Sequence, residues 1–240
     1  VRLYLDFDKP LGPEELARYR DLVRRRSQGE PTAYLVGARE FCGRSFAVDP
    51  RALVPRPETE LVAEAALTAL PPDGVALDLC TGSGCIGVTL ALERPRARVL
   101  ATDVSADALE LARLNAERLG ARLELLRGDL FEPAPAGLRY DVIAANPPYV
   151  PSAELPGLAR ELRHEPALAL DGGADGLSVI RRLVAEAPRR LAPGGALIVE
   201  MHESHLERLP ALCRAAGLTG VEARRDLAGL PRFVVARSPS

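Results

Sequence analysis

The chain has 240 residues, 47% of them hydrophobic and 27% charged, which bounds it to one or two domains with a buried core and excludes wholesale disorder. It carries 31 basic against 33 acidic side chains, a net charge of −2, so no global positive field draws it to nucleic acid. No apolar run approaches the roughly 18 residues of a membrane span and no signal-peptide core opens the chain, so a cytoplasmic protein without membrane contact is expected.

The chain starts at Val1, and its opening residues read like the interior of a longer sequence, so a longer natural start is expected. A helix is predicted from Pro13 to Gln28, with proline in its first turn, Glu14 and Glu15 leading, Arg24 to Arg26 trailing and Gly29 as its stop. Arg24 to Arg26 are read as a solvated helix end. Short segments follow at 33–35, 40–46 and 52–54. Pro55-Arg56-Pro57 should be extended, because proline disfavours helix in the residue before it. A helix over 59–70 then leads into the turn Pro71-Pro72-Asp73-Gly74.

From Gly74 onward short apolar runs alternate with helical ones. Strands are predicted at 75–79, 98–103, 123–127, 140–145 and 196–201, with two late ones near 221–225 and 232–236. Helices are predicted at 85–92, 106–119 (capped by Ser105 and ended by Gly120), 178–191 and 204–216, with Pro193-Gly194-Gly195 as a stop before the fifth strand. Near-continuous apolar strands between helices imply a parallel sheet covered on both faces.

Directly after the first of these strands stands Asp78-Leu-Cys80-Thr81-Gly82-Ser83-Gly84-Cys-Ile-Gly87. Glycines there let the backbone turn tightly against a ligand, and Asp103 ends the next strand, where a carboxylate can accept from a ribose diol. The Gly82-x-Gly84-x-x-Gly87 spacing also fits a dinucleotide fingerprint. Against NAD stands Asp78, an acid unwelcome beside a pyrophosphate but suited to a ligand with an amino group and a sulfonium, namely S-adenosylmethionine.

The second motif is Asn146-Pro147-Pro148-Tyr149, at the exit of the strand over 140–145. Its prolines withhold donors, so an Asn side-chain oxygen beside a Pro carbonyl can hold both hydrogens of a planar NH2 group, while Tyr149 can stack on a flat substrate. His202 and His205 flank Glu203 without HExxH spacing and are read as a surface turn; no metal is expected. Cys42, Cys80, Cys85 and Cys213 form no CxxC pair and are read as reduced, packed thiols.

Asn146-Pro-Pro-Tyr149, the Gly82/Gly84 turn and Asp103 together resemble class I methyltransferases acting on planar amino groups. More narrowly, the chain resembles the release factor glutamine methyltransferases (the HemK/PrmC family) through Glu30-Pro-Thr-Ala-Tyr-Leu-Val-Gly37, Arg39-Glu-Phe41, Pro55-Arg-Pro-Glu-Thr-Glu60, Glu165-Pro166 and Asp171-Gly-Gly-Ala-Asp-Gly-Leu177. The resemblance implies an α/β, Rossmann-like class I methyltransferase fold, with a mostly parallel seven-stranded sheet and helices on both faces. It implies an N-terminal helical domain over 1–38 (shorter than is usual in the family), a hairpin-containing linker with a helix over 39–72, and a methyltransferase domain over 73–240. It implies methyl transfer from S-adenosylmethionine, leaving S-adenosylhomocysteine, to the glutamine of the Gly-Gly-Gln motif of peptide chain release factors, with no direct nucleic-acid partner. By that likeness Cys80, Thr81, Gly82, Ser83 and Gly84 wrap the methionine end and Asp103 holds the ribose. Asp129 and Leu130 border the adenine, with an aliphatic Leu130 where some members carry Trp. Asn146, Pro147, Pro148 and Tyr149 hold the glutamine, and Asn146, Pro147 and Tyr149 serve the transfer. Arg56, Glu58 and Thr59 are expected to lie over the cofactor cleft. An amino group of a nucleic-acid base, a ribosomal-protein glutamine, and an NAD-linked or non-catalytic nucleotide-binding role are the alternatives.

Overall fold

The computed structural model describes residue 8 and residues 10–240; the opening seven residues, on which the expectation of a longer start rests, and Lys9 lie outside the described residues. Helix α1, Pro13–Ser27, begins after Gly12, whose N–H donates to Glu15 at 2.9 Å, and ends before Gly29 at φ +94°. Its trailing arginines are not merely solvated. Arg24 pairs with Asp21 at 2.6 Å, Arg25 with Glu30 at 2.5 Å, and Arg26 reaches Glu161. Helix α2, Thr32–Val36, buries Tyr34, whose hydroxyl donates to the Ala52 carbonyl at 3.0 Å.

The segment 40–46 lies within a hairpin. β1, Ala38–Phe41, pairs antiparallel with β2, Arg44–Ala47, around Cys42 and Gly43, both at positive φ. Two positive-φ residues make the turn that matches strand twist, and cysteine in the first position gave no signal for it. Segment 52–54 is irregular. Helix α3, Pro57–Ala69, starts at Pro57 because proline's fixed φ suits the first helical turn, and Arg56 before it is extended.

The remaining chain forms β3 Val75–Leu79, α4 Cys85–Glu93, β4 Arg98–Asp103, α5 Ala106–Leu119, β5 Glu124–Arg127, β6 Tyr140–Ala145, α6 Ser178–Arg190, β7 Leu191–Glu200, α7 Arg208–Ala215, β8 Thr219–Arg225 and β9 Pro231–Arg237. The seven-stranded sheet has the order β5-β4-β3-β6-β7-β9-β8; β3 to β7 are mutually parallel, and β9 is antiparallel to both neighbours. Two expectations fail here. Pro193-Gly-Gly195 does not precede the strand but lies inside β7, as an irregularity in its pairing with β6, where a Cβ on Gly195 would meet the Tyr140 carbonyl at 2.8 Å. The helix over 204–216 is instead a short 3-10 turn, Glu203–His205, followed by α7, because Pro210 has no N–H to extend the helix backward.

Alternate residues of each central strand feed opposite faces. Leu77, Leu79, Ile143, Leu197 and Val199 meet α6 and α7 through residues such as Ile180, Leu183 and Leu209. Ala76, Val142, Ala144 and Ile198 meet α3, α4 and the hairpin, whose Phe41 and Phe46 rings cross edge to face at 5.9 Å. The hairpin is therefore part of the core.

Asn115 on α5, fully buried, fastens the hairpin to the turn after β3. Its Oδ1 accepts from Ala47 N at 2.7 Å, and its Nδ2 donates to the carbonyls of Ala47 at 3.0 Å and Ser83 at 2.9 Å. Asn115→Ala leaves these buried backbone groups unpaired and should destabilise the fold by about 2–5 kcal/mol. Urea unfolding should register this as a lower midpoint with an unchanged slope.

Candidate active site

β3 is flanked by β4 and β6, and the chain reverses its direction of travel across the sheet at that point. In a parallel sheet such a reversal leaves a crevice at the carboxyl ends of the strands. A cavity of about 270 Å³ opens there, walled by the residues following β3 (80–83), β4 (Asp103, Val104), β5 (Gly128 to Leu130) and β6 (Asn146, Pro148). Arg51 to Leu53, Pro55, Arg56 and Thr59 close it on one side, and Pro166, Leu168 and Ala169 on another.

The turn after β3 is held by carboxylates. Asp78, fully buried, accepts at one oxygen from the Thr81 hydroxyl at 2.5 Å and from Gly87 N at 2.9 Å; its other oxygen has no partner. Burial pushes its carboxyl up to about 7, against the pull of those two hydrogen bonds. Asp103 accepts from Gly82 N at 2.9 Å and from Ser105 N at 2.9 Å, and burial raises its pKa as well. Gly82 and Gly84 take positive φ, and a Cβ on Gly84 would press on Ala112 of α5 at 3.1 Å. Gly87 serves Asp78: a Cβ there would sit 3.1 Å from the carboxylate. The first turn of α4, where a dinucleotide would seat its pyrophosphate, is thus already occupied by the Asp78 carboxyl.

Among the described residues the only non-glycine residues at positive φ are Cys42, Cys80 and Leu130, and the last two line this cavity. The Leu130 carbonyl accepts from the Thr102 hydroxyl at 3.0 Å, and Asp129 is paired with Arg182 of α6 at 2.5 Å.

A second cavity, of about 380 Å³, lies beyond Asn146 and shares Leu53, Arg56, Asn146 and Ala169 with the first. Asn146 Nδ2 donates to Thr59 Oγ1 at 3.2 Å, which leaves Oδ1 as the free acceptor of that amide. Arg56 pairs with Glu165, whose side chain is 1% exposed and whose other oxygen accepts from Val54 N at 3.0 Å, so the linker is latched to the segment after Tyr149. Tyr149 lines the second cavity with Glu58, Glu200, His202 and Arg232. Its ring lies 6.3 Å from that of His202 at an interplanar angle of 33°. Glu200, at the end of β7, is pushed up to about 7 by burial, while the nearby Thr59 and Tyr149 hydroxyls favour its charged form.

Cys80, Thr81, Gly82, Ser83, Asp103, Asp129, Leu130 and Asn146 therefore meet at one cavity, and Asn146 and Tyr149 at the other. Gly84 stands behind the wall against α5, Pro147 lines neither cavity, and Pro148 lines the first rather than the second. Arg56 and Thr59 border the first cavity and Glu58 the second. The surface turn expected at His202 to His205 holds for His202 but not for His205, which is buried with Nδ1 unpartnered. The four cysteines are free, with Cys85 and Cys213 buried and Cys42 and Cys80 half-buried. Sequence reasoning missed Arg182, Glu200 and the function of Glu165; a lone acid at a strand end far along the chain carries no local pattern.

Residues 58–225 match the family model of the methyltransferase small domain, and residues 1–37 that of the PrmC N-terminal domain. The release factor glutamine methyltransferase of Geobacter sulfurreducens is 46% identical over 238 residues, covering 99% of this chain and 84% of that protein. Its namesake from Bordetella pertussis is 48% identical over 226 residues, covering 93% of this chain and 84% of that protein. In fold the chain is similar to a methyltransferase from Pyrococcus furiosus (TM-score 0.63, 20% identity, 90% of this chain and 99% of that one). It is also similar to the Thermus thermophilus 16S rRNA N2 G1207 methyltransferase in complex with AdoMet and guanosine (TM-score 0.61, 19% identity, 84% of this chain and 49% of that one). This chain is a methyltransferase and belongs to the release factor glutamine methyltransferase family.

Proposed function

We propose that this enzyme transfers a methyl group from S-adenosylmethionine to the side-chain amide nitrogen of the glutamine in the Gly-Gly-Gln motif of peptide chain release factors. The relatives' names support the substrate. The observation that carries the chemistry is Asn146 standing as the common wall of two cavities with its Nδ2 engaged by Thr59.

The first cavity fits the cofactor by its donor set. Asp103 offers carboxylate lone pairs beyond the two it gives to Gly82 and Ser105, suited to a ribose diol. Asp78, with an unpartnered buried oxygen, adds negative potential near the glycine turn in its ionised form, which an ammonium and a sulfonium would favour and a pyrophosphate would not. Leu130, Val104 and Ala108 supply apolar surface for a base. Cys80, Thr81, Gly82 and Ser83 would border the methionine end and Asp129 with Leu130 the adenine; Gly84 would act through the shape of the turn.

Bound there, S-adenosylmethionine supplies a methyl carbon made electrophilic by its sulfonium. Asn146 Oδ1 accepts one hydrogen of the glutamine amide; the Pro147 carbonyl, expected to take the other, belongs to a residue that lines neither cavity. The Asn146 contact orients the amide and pushes density toward a nitrogen whose lone pair is otherwise delocalised into its carbonyl. Tyr149, with Pro148, bounds the plane. Catalysis is orientation plus electrostatics, with no strong general base required. The test is mass spectrometry of a purified release factor incubated with enzyme and cofactor: one added methyl on the Gly-Gly-Gln glutamine is the expected result.

Asp103→Ala should weaken S-adenosylmethionine binding by roughly 1.5–3 kcal/mol, the worth of a hydrogen bond to a charged group, while the protein still folds. Unchanged affinity by calorimetry would remove Asp103 from the site. Asn146→Ala should lower turnover about 10²–10³-fold with a much smaller change in cofactor affinity. Asn146→Asp keeps an acceptor and should retain partial activity. A folded, cofactor-loaded Asn146→Ala enzyme methylating the release factor at the parent's rate would sink the assignment.

A further inference from the structure

Arg56 stands where the two cavities meet: it lines both, and its side chain is 32% exposed. The mechanism above gives it no part. What holds it is Glu165, whose side chain is 1% exposed, between the 3-10 turns Leu162–His164 and Ala167–Ala169. The two oxygens of that carboxylate are divided. Oε1 accepts from Arg56 Nη2, and Oε2 accepts from Val54 N at 3.0 Å. A carboxylate held at both oxygens constrains the planar guanidinium paired with it.

A guanidinium has five N–H groups and no acceptor. Among the described residues Arg56 gives one of them to Glu165, and the others have no partner at the seam. The rest of the second cavity is poor in donors. Glu58, Glu154 and Glu200, as carboxylates, only accept, and Tyr149 carries a single hydroxyl hydrogen. Asn146 gives its Nδ2 to Thr59 at 3.2 Å. Arg232 turns Nε to Asp226 at 2.7 Å and Nη2 toward Glu58 at 4.0 Å, and His202 Nδ1 lies 2.9 Å from Ser204 Oγ. The unengaged donors of this cavity are therefore concentrated on Arg56.

A peptide that leads a glutamine into this cavity behind two glycines brings no side chain with those glycines. What it presents there is main chain, whose carbonyls lose water on entry and need donors in its place. Glycine also lets the main chain approach a wall closely. We propose that Arg56 is a substrate-binding residue, positioned by Glu165, whose free N–H groups donate to the backbone carbonyls of the Gly-Gly segment ahead of the glutamine. This inference rests on the substrate reading given under Proposed function and adds to it the group that reads the glycines. The charge balance of the pair decides which ligand it takes. Arg56 and the buried Glu165 together carry no net charge, so the pair has little attraction for the cofactor's carboxylate. Its N–H groups remain strong donors to an uncharged carbonyl.

The test is steady-state kinetics with release factor as substrate, beside calorimetry with S-adenosylmethionine. Arg56→Lys keeps a cation against Glu165, so no buried charge is stranded, but it gives up the fork of donors. It should raise KM for the release factor about 10–10²-fold, with kcat within about threefold and cofactor affinity within about twofold. Glu165→Gln keeps an acceptor for Val54 N and releases the guanidinium, and should raise KM about 3–10-fold. The paired variant Arg56→Met with Glu165→Gln removes both charges together. It should reproduce the KM of Arg56→Lys in an enzyme that binds cofactor as the parent does. A release factor with alanine for the first glycine of its motif completes a double-mutant cycle. Its Cβ holds the carbonyl off Arg56, so kcat/KM should fall about tenfold with the parent enzyme and less than about threefold with Arg56→Lys. A parent-like KM in Arg56→Lys and in the paired variant, an additive cycle, or a loss of cofactor affinity beyond about tenfold with KM unchanged overturns the proposal. Failure of the parent enzyme itself to methylate release factor overturns instead the substrate reading on which the proposal rests.

Discussion

The carboxylate of Asp78 has no contact with water, and the turn that shapes the cofactor cavity is folded around it. An isolated buried charge is costly, and Asp78 is kept in place by a hydroxyl and an amide from the loop it stabilises: Thr81, three residues on, and Gly87, in the first turn of α4. That arrangement favours Gly87, because a Cβ there would crowd the carboxylate at 3.1 Å. It also occupies the helix end that an anion would otherwise use. With Asp103 holding Gly82 from the next strand, the turn is suspended between two acids, and the cavity below it favours cations and diols over phosphates.

The second cavity is made by parts of the chain that contribute little to the sheet. The linker passes over the strand ends and is fastened twice. Arg56 meets the buried Glu165 on one side, and Asn115 grips β2 on the other while also holding the carbonyl of Ser83. A buried ion pair adds little net stability compared with an apolar contact of equal size, but removing one partner strands a charge, so such pairs enforce geometry more than they add stability. In this protein the geometry enforced is the seam between the two cavities, where Arg56, Leu53 and Asn146 are shared. Backbone strain gathers at the same place, with Cys80 and Leu130 held at positive φ on the wall of the first cavity.

Local patterns carry elements whose causes are local. Ser105 and Gly120 bound α5 because capping and a left-handed stop involve only neighbouring residues: the Ser105 side chain accepts from Ala108 N and Gly120 has φ +74°. The alternation of apolar strands with helices was enough for the sheet, since burial on both faces leaves no other composition for its central strands. The places where local reasoning failed are those where a distant neighbour overrides a local signal. Pro193-Gly-Gly195 reads as a stop, yet it is absorbed into β7, where the pleat brings Gly195 against Tyr140. His205 reads as part of a polar turn, yet it is buried, its ring 3.0 Å from where a Cβ on Gly176 would lie.

The class of fold, the glycine turn with its two acids, and Asn146-Pro-Pro-Tyr149 were legible in the chain, because each depends on adjacent residues or on the rhythm of strand and helix. Which of these residues face a cavity was decided by the tertiary structure. Gly84 turns out to pack against α5, Pro147 lines neither pocket, and Asn146 finds its partner in Thr59, 87 positions away. The pairing of Arg56 with Glu165 likewise joins parts of the chain that no periodicity relates. Such contacts depend on where the sheet brings its strand ends together, a property of the folded topology that becomes visible only after the chain has closed.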